Sequence, residues 1–330
     1  MRYLTVLEWQ KSVLAQLTTN AMPQALLLHG KAGTGKHDFA LALAQKLLCS
    51  APLDKAEAEH ACGVCQPCVW YAQGHHPDFK WLTPENDDAD EATTKRKTKK
   101  TIISVAQVRQ LGDFLTLSNH QSALRIIVIS PADALNTQSA NALLKMLEEP
   151  PAGTLFILVT SQLQRLLPTI RSRCQLLSMP APSQQQAVDW LIAQGLAQPE
   201  SLLHYAGGAP LQALQLAQEA SHQLISQHLA QGARLNPNAA AGLLIAVGAE
   251  QALTGLQKWV YDLFLFAATQ QTRYFQSHAN AMQRLTKSVK LNALLQFDKT
   301  LRDAKKMANH PLNHEMQLEN LLVQYTACFA

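Results

Sequence analysis

The stretch that most constrains this chain is Gly30-Lys31-Ala32-Gly33-Thr34-Gly35-Lys36-His37, which follows the apolar run Ala25–His29 and opens a helical pattern. Its spacing is G-x-x-x-x-G-K. Glycines let a backbone curl until its N–H groups converge on a phosphate, with a helix N-terminus behind them and the lysine beside the outer phosphates. A strand–loop–helix of this kind calls for an α/β fold. Four more short, apolar, β-rich runs follow, at residues 79–82, 125–130, 154–160 and 174–179. Strands buried on both faces read this way, so the expectation is a parallel sheet with crossover helices.

Local signals place two of those helices. Ser104 with Gln107 reads as a capping box for a helix over 105–117. Asn136 or Thr137 opens the next, whose Ala140, Leu143, Leu144 and Leu147 share a face and which Pro150-Pro151 stops. After Pro180-Ala181-Pro182 the alternation ends, and Leu, Ala and Gln recur at helical spacing as far as Tyr325. The expected organisation is a phosphate-loop domain over 1–179, a small helical domain over 180–221 and an all-helical domain over 222–330.

Composition agrees with a folded protein of two or three domains: 330 residues, 47% hydrophobic and 16% charged. A net charge of +4 is mild and does not demand nucleic acid as a direct ligand. Glu8, Gln10, Lys11 and Gln16 interrupt any leader-like apolar run, and no stretch reads as a membrane span, so the expected setting is cytoplasmic, with no membrane partner and reduced thiols. Residues 85–100, acidic and then basic, read as a surface loop or as a tip that touches a phosphate backbone.

The phosphate loop lacks the parts that manage metal. The residue after Lys36 should carry a hydroxyl for magnesium, yet it is His37, and imidazole is a poor ligand for that ion. The apolar run at 125–130 should end in an acidic pair, yet Ser130-Pro131 stands there, and Asp133 is expected to have left the strand end. Self-catalysed ATP hydrolysis is therefore not expected. Gly30, Gly33, Gly35 and Lys36 remain as a degenerate cradle, either for passively bound nucleotide or as scaffold.

Cys49 is followed by Cys62-x-x-Cys65-x-x-Cys68. Four thiols crowded in this way predict a structural zinc ion, with an iron–sulfur cluster or unligated or disulfide-bonded cysteines as the alternatives. His60, His75 and His76 are expected outside the ligand set, and Cys174 and Cys328 as small buried side chains.

Three further stretches stand together: Ser139-Ala-Asn-Ala-Leu-Leu-Lys-Met-Leu-Glu-Glu-Pro-Pro151, a strand ending in Thr160, and Ser172-Arg173-Cys174. With the phosphate loop and the cysteines, they make residues 26–214 resemble the clamp-loader branch of the AAA+ ATPases. Beyond that the likeness is only one of composition and length, with an echo in 312–322. The resemblance implies an AAA+ parallel-sheet domain with a zinc module at 49–68, a helical lid and a helical collar. Leu211, after Gly208-Ala209-Pro210, stands where active members carry a nucleotide-sensing arginine. Arg173 is implied to reach in trans into a neighbouring subunit's ATP site, with Thr160 at a sensor position and Arg165 and Arg171 close by. Without the resemblance Arg173 reads as a surface or salt-bridging arginine.

The implied function is that of a non-hydrolysing clamp-loader subunit of the DNA polymerase III holoenzyme. Its implied partners are gamma/tau ATPase subunits and a delta subunit, and it reaches the sliding clamp and primed DNA through the assembled complex. Two other readings stay open: an active gamma-like ATPase, favoured by Lys36, and a zinc-dependent DNA-binding module, favoured by the cysteines and the basic run at 95–100.

Overall fold

The computed structural model describes residues 5–19, 22–51, 60–84, 102–116, 124–219, 221–307 and 313–329. The chain forms two compact units, Met1–Pro182 and Ser183–Ala330.

The first unit is built on five strands, β1 (Ala25–His29), β2 (Phe79–Leu82), β3 (Arg125–Ile129), β4 (Thr154–Thr160) and β5 (Gln175–Ser178). They form one parallel sheet in the order β2-β3-β4-β1-β5. The helices are α1 (Lys11–Thr19), α2 (Lys36–Leu48), α3 (Gln66–Gln73), α4 (Val105–Thr116), α5 (Thr137–Glu148) and α6 (Pro168–Arg171). Successive strand residues point to opposite faces. Leu26 and Leu28 pack with Phe39, Leu43 and Tyr71 on one side, while Leu27, Ile127 and Phe156 pack with Leu111, Leu143 and Leu147 on the other. That double burial is why the strands read as unbroken apolar runs.

Both predicted caps form. Ser104 Oγ accepts from the Gln107 N–H at 3.2 Å, and Gln107 Oε1 accepts from the Ser104 N–H at 2.8 Å. Asn136 Oδ1 accepts from the Ser139 N–H at 2.8 Å, and α5 ends just before Pro150-Pro151. Two strands are slightly shorter than expected: β3 stops at Ile129, before Ser130-Pro131, and β5 leaves out Cys174 and Met179.

Among its described residues the second unit holds only helices: α7 (Gln184–Ala193), α8 (Glu200–Tyr205), α9 (Pro210–Glu219), α10 (Ser221–Leu229), α11 (Pro237–Val247), α12 (Ala249–Thr269), α13 (Ala279–Thr286), α14 (Leu291–Lys306) and α15 (His314–Ala327). One core runs through them, from Leu191 and Leu203 to Trp259, Phe297 and Tyr325. The residues on either side of the expected 221/222 boundary share that core: Tyr205 in α8 contacts α12 through its carbonyl, which accepts from Lys258 Nζ at 2.7 Å. The buried Tyr325 hydroxyl joins three helices, accepting from Trp259 Nε1 at 2.8 Å and donating to the Leu229 carbonyl at 2.7 Å. Among the described residues no single helix is long and apolar enough to cross a membrane.

Candidate functional site

The loop expected to cradle phosphate, residues 30–35, leaves the C-terminal end of β1 and delivers the chain into α2. Gly33 and Gly35 take positive φ, +71° and +86°, a region that L side chains disfavour. An added Cβ at Gly30 would lie 2.8 Å from the Met179 carbonyl oxygen, so this position also needs the absence of a side chain. Lys36 is buried at the start of α2, and its Nζ donates to the Lys31 carbonyl and, at 3.0 Å, to Ser161 Oγ. Burial pushes the Lys36 ammonium down to about 8, with the Asp133 carboxylate opposing that shift.

A segment that the sequence did not single out braces this loop. Trp9 Nε1 and Gln10 Nε2 both donate to the Thr34 carbonyl at 3.0 Å, and Leu7 covers Gly35. Trp9, Gln10 and Thr34 are all buried. The available signal was Trp9 near Leu7 and ahead of Val13, Leu14 and Leu17, an apolar pattern that has to be buried.

His37 and Ser130 stand in the sequence where a hydroxyl and a carboxylate are expected. Their Nδ1 and Oγ atoms lie 3.0 Å apart, and the His37 ring packs on Trp81 with 5.0 Å between centroids. Burial lowers the His37 pKa, with Asp38 opposing. This pair offers an imidazole and a hydroxyl in place of hydroxyl and carboxylate. Asp133 lies beyond the end of β3, as expected, on a short 3-10 turn, Ala132–Ala134. There Thr160 Oγ1 of β4 donates to Asp133 Oδ1 at 2.5 Å, and the Asp133 charge is felt at Lys36. Thr160 Oγ1 also accepts from the Gln162 N–H at 2.9 Å, which fixes the turn after β4.

The four cysteines come together as predicted. Cys49 follows α2, Cys62 and Cys65 lie on the loop before α3, and Cys68 is in its first turn. Their sulfur atoms all lie within 4.8 Å of one another, close enough to share one metal ion. The Cys62 N–H points to Cys49 Sγ and the Cys65 N–H to Cys62 Sγ, each at 3.4 Å. The group does not include His60, His75 or His76. Cys174 and Cys328 are buried singly.

Arg173 lies between α6 and β5, far from the phosphate loop. β5 pairs with β1 so that Gln175 is level with Leu26, and the loop begins beyond His29. At a rise of about 3.3 Å per residue, the levels of Gln175 and Gly30 are about 13 Å apart along the strands, and Arg173 precedes Gln175. The loop is thus at the C-terminal end of the sheet and Arg173 at the N-terminal end. The Arg173 guanidinium is exposed in part, donates from Nη1 to the Thr169 carbonyl at 3.0 Å and pairs through Nη2 with Glu148 Oε1 at 2.5 Å. Glu148 was not singled out in the sequence; an acidic residue at a helix C-terminus was the clue. Arg165 ends a 3-10 turn and Arg171 ends α6, neither of them in that pair. Leu211 lies in the first turn of α9, in the second unit. The run at 85–100 lies outside the described residues.

The profile of a family described as DNA polymerase III, delta subunit, matches residues 8–183. Proteins named DNA polymerase III subunit delta' are similar over much of the chain. The Pseudomonas aeruginosa protein is 38% identical over 213 residues, covering 63% of this chain and 60% of that one. The Escherichia coli protein is 34% identical over 197 residues, covering 59% and 54%. The Yersinia pestis protein is 33% identical over 267 residues, covering 78% and 73%. The chain thus spans less than two thirds of the length of the first two relatives.

Proposed function

This chain belongs to the DNA polymerase III delta' subunit family, and from that premise we propose that it is the clamp-loader subunit that lends an arginine instead of hydrolysing ATP. The observation that carries this reading is the placement of Arg173 at the end of the sheet opposite its own phosphate loop. A guanidinium there has no route to a nucleotide in the same subunit and is free to meet one bound next door. Its planar fork suits a triphosphate, and an arginine supplied in trans stabilises charge on the transferring phosphoryl group.

In this reading the first unit is an AAA+ phosphate-loop domain that packs against a gamma/tau ATPase. The helices of the second unit serve as lid and collar and also meet the delta subunit. The assembly opens the sliding clamp and sets it on primed DNA in the bacterial cytoplasm. The cradle of Gly30, Gly33, Gly35 and Lys36 keeps its curl, so it can hold the phosphates of a nucleotide. His37 and Ser130-Pro131 replace the hydroxyl and the acidic pair that would organise magnesium, and Leu211 replaces the nucleotide-sensing arginine, so the subunit has no ATPase turnover of its own.

The metal is read as zinc. Tetrahedral thiolate ligands at about 2.3 Å from Zn²⁺ have sulfurs about 3.8 Å apart. The pairs Cys49–Cys65 and Cys62–Cys68 stand at 3.8 and 4.0 Å, which fits one ion and is too tight for an iron–sulfur core. Cys49, Cys62, Cys65 and Cys68 would hold it as a closed site that ties α3 to the end of α2, with no open position for chemistry.

The test is reconstitution with the ATPase and delta subunits. Arg173→Ala should lower DNA-stimulated ATP hydrolysis on the order of a thousandfold at the site it serves while the complex still assembles. Unchanged hydrolysis and clamp loading would refute the reading, as would robust ATPase of the chain alone that is lost in Lys36→Ala.

A further inference from the structure

We infer that Glu148, the last residue of α5, is a positioning residue that holds the Arg173 guanidinium in the direction of a neighbouring subunit's nucleoside triphosphate. The inference rests on the trans-arginine reading above.

Arg173 is gripped at both terminal nitrogens by two different elements: Nη2 by the Glu148 carboxylate and Nη1 by the Thr169 carbonyl of α6. Arginine carries five N–H donors in a fixed plane. Two are used on the inner side, and three remain for phosphate oxygens. Both side chains are partly exposed, 34% for Arg173 and 46% for Glu148, so the pair stands at the surface with one edge open.

The backbone on each side is fixed by the core. Leu147 precedes Glu148, while Ile170 and Cys174 bracket the arginine, and all three are buried. An ion pair set on anchored positions of this kind orients a side chain better than two residues on free loops.

Glu148 also works against its own helix. The C-terminal end of a helix carries partial negative charge and favours cations. Here α5 ends in Glu148 followed by Glu149, two anions against the one cation of its last turn, Lys145. A residue that breaks a local rule at a candidate site has its compensation elsewhere. The compensation visible here is the contact with Arg173. An ordinary surface ion pair would contribute little to stability and nothing to rate.

The experiment uses the full chain assembled with its ATPase and delta partners, and compares Glu148→Ala, Glu148→Gln, Arg173→Ala and the double variant Glu148→Ala/Arg173→Ala. DNA-stimulated ATP hydrolysis is measured across ATP concentrations, together with the melting temperature of each free chain. Freed from its anchor, a long side chain regains rotamers, so Glu148→Ala should lower kcat about tenfold. KM for ATP should stay within about twofold, because the group acts on the transition state more than on binding. Melting should be unchanged, Glu148→Gln should recover part of the rate through its remaining acceptor oxygen, and the double variant should match Arg173→Ala alone.

Wild-type kcat in both Glu148 variants, with Arg173→Ala still inactive, would overturn the positioning role and leave the arginine reading standing. The same tenfold loss on top of Arg173→Ala would show that Glu148 acts independently and would also overturn it. Wild-type hydrolysis in Arg173→Ala would overturn both readings.

Discussion

Gly35→Ala tests whether the phosphate loop is held as a curl under the N-terminal segment. Gly35 has φ +86°, and a Cβ placed on it would lie 2.5 Å from Leu7 Cδ1 and 3.1 Å from Gln10 Nε2. Two penalties follow. The left-handed backbone costs an L residue about 1–2 kcal/mol. Overpacking against Leu7 costs about 1–3 kcal/mol. The first unit, Met1–Pro182, should therefore lose roughly 2–5 kcal/mol. For a domain of that size this lowers its Tm by on the order of 10 °C.

Scanning calorimetry and urea unfolding of the full chain measure this loss, with the urea slope unchanged if only stability moves. Leu7→Ala separates the two terms. Leu7 is half-buried, so its own truncation is mild, and in the double variant the clash disappears while the backbone strain stays. The double variant should lose about 1–3 kcal/mol less than the sum of the single changes, because the clash term is removed. A loss below about 1 kcal/mol for Gly35→Ala, or strict additivity with Leu7→Ala, would refute the reasoning.

Lys36 should titrate near pH 8 in the free chain, read by NMR at its ε-methylene, instead of at the ordinary 10.5. Between those values the folded state binds fewer protons than the unfolded state, so stability should rise with pH through that window, and this rise should vanish in Lys36→Met. A midpoint at or above pH 10 would contradict the burial argument. Elemental analysis should find one metal ion per chain, lost in Cys68→Ser and kept in Cys174→Ser. Removal by a strong chelator should lower the melting temperature of the first unit and leave the second unchanged. Retention of the metal by Cys68→Ser would rule out the four-cysteine assignment.

Much of the frame was legible because its signals are local. Three of the five strands begin and end where the apolar runs do, and the other two differ by a residue at one or both ends. Ser104 with Gln107, and Asn136, form the caps that their types and spacing announce. The four cysteines converge because Cys62, Cys65 and Cys68 share one short segment that only had to fold back on Cys49. Counting residues past β3 places Asp133 beyond the strand end, where it lies, but the meeting of its carboxylate with Thr160 of β4 was not legible.

The sequence by itself determined that Gly30, Gly33 and Gly35 shape the loop before Lys36, that His37 follows it and that Ser130-Pro131 follows β3. These depend on which residues are glycine, and on whether a hydroxyl or carboxylate is present at all. The tertiary structure alone decided what each surviving group touches. Lys36 meets Ser161 across 125 residues of chain, and Trp9 meets Thr34 across 25. Arg173 meets Glu148 from a different helix, at the end of the sheet away from its own loop. Such contacts are set by strand order and register, through the packing of two apolar layers on one sheet. No local spacing encodes them, because the side chains that meet belong to elements brought together only by burying that core.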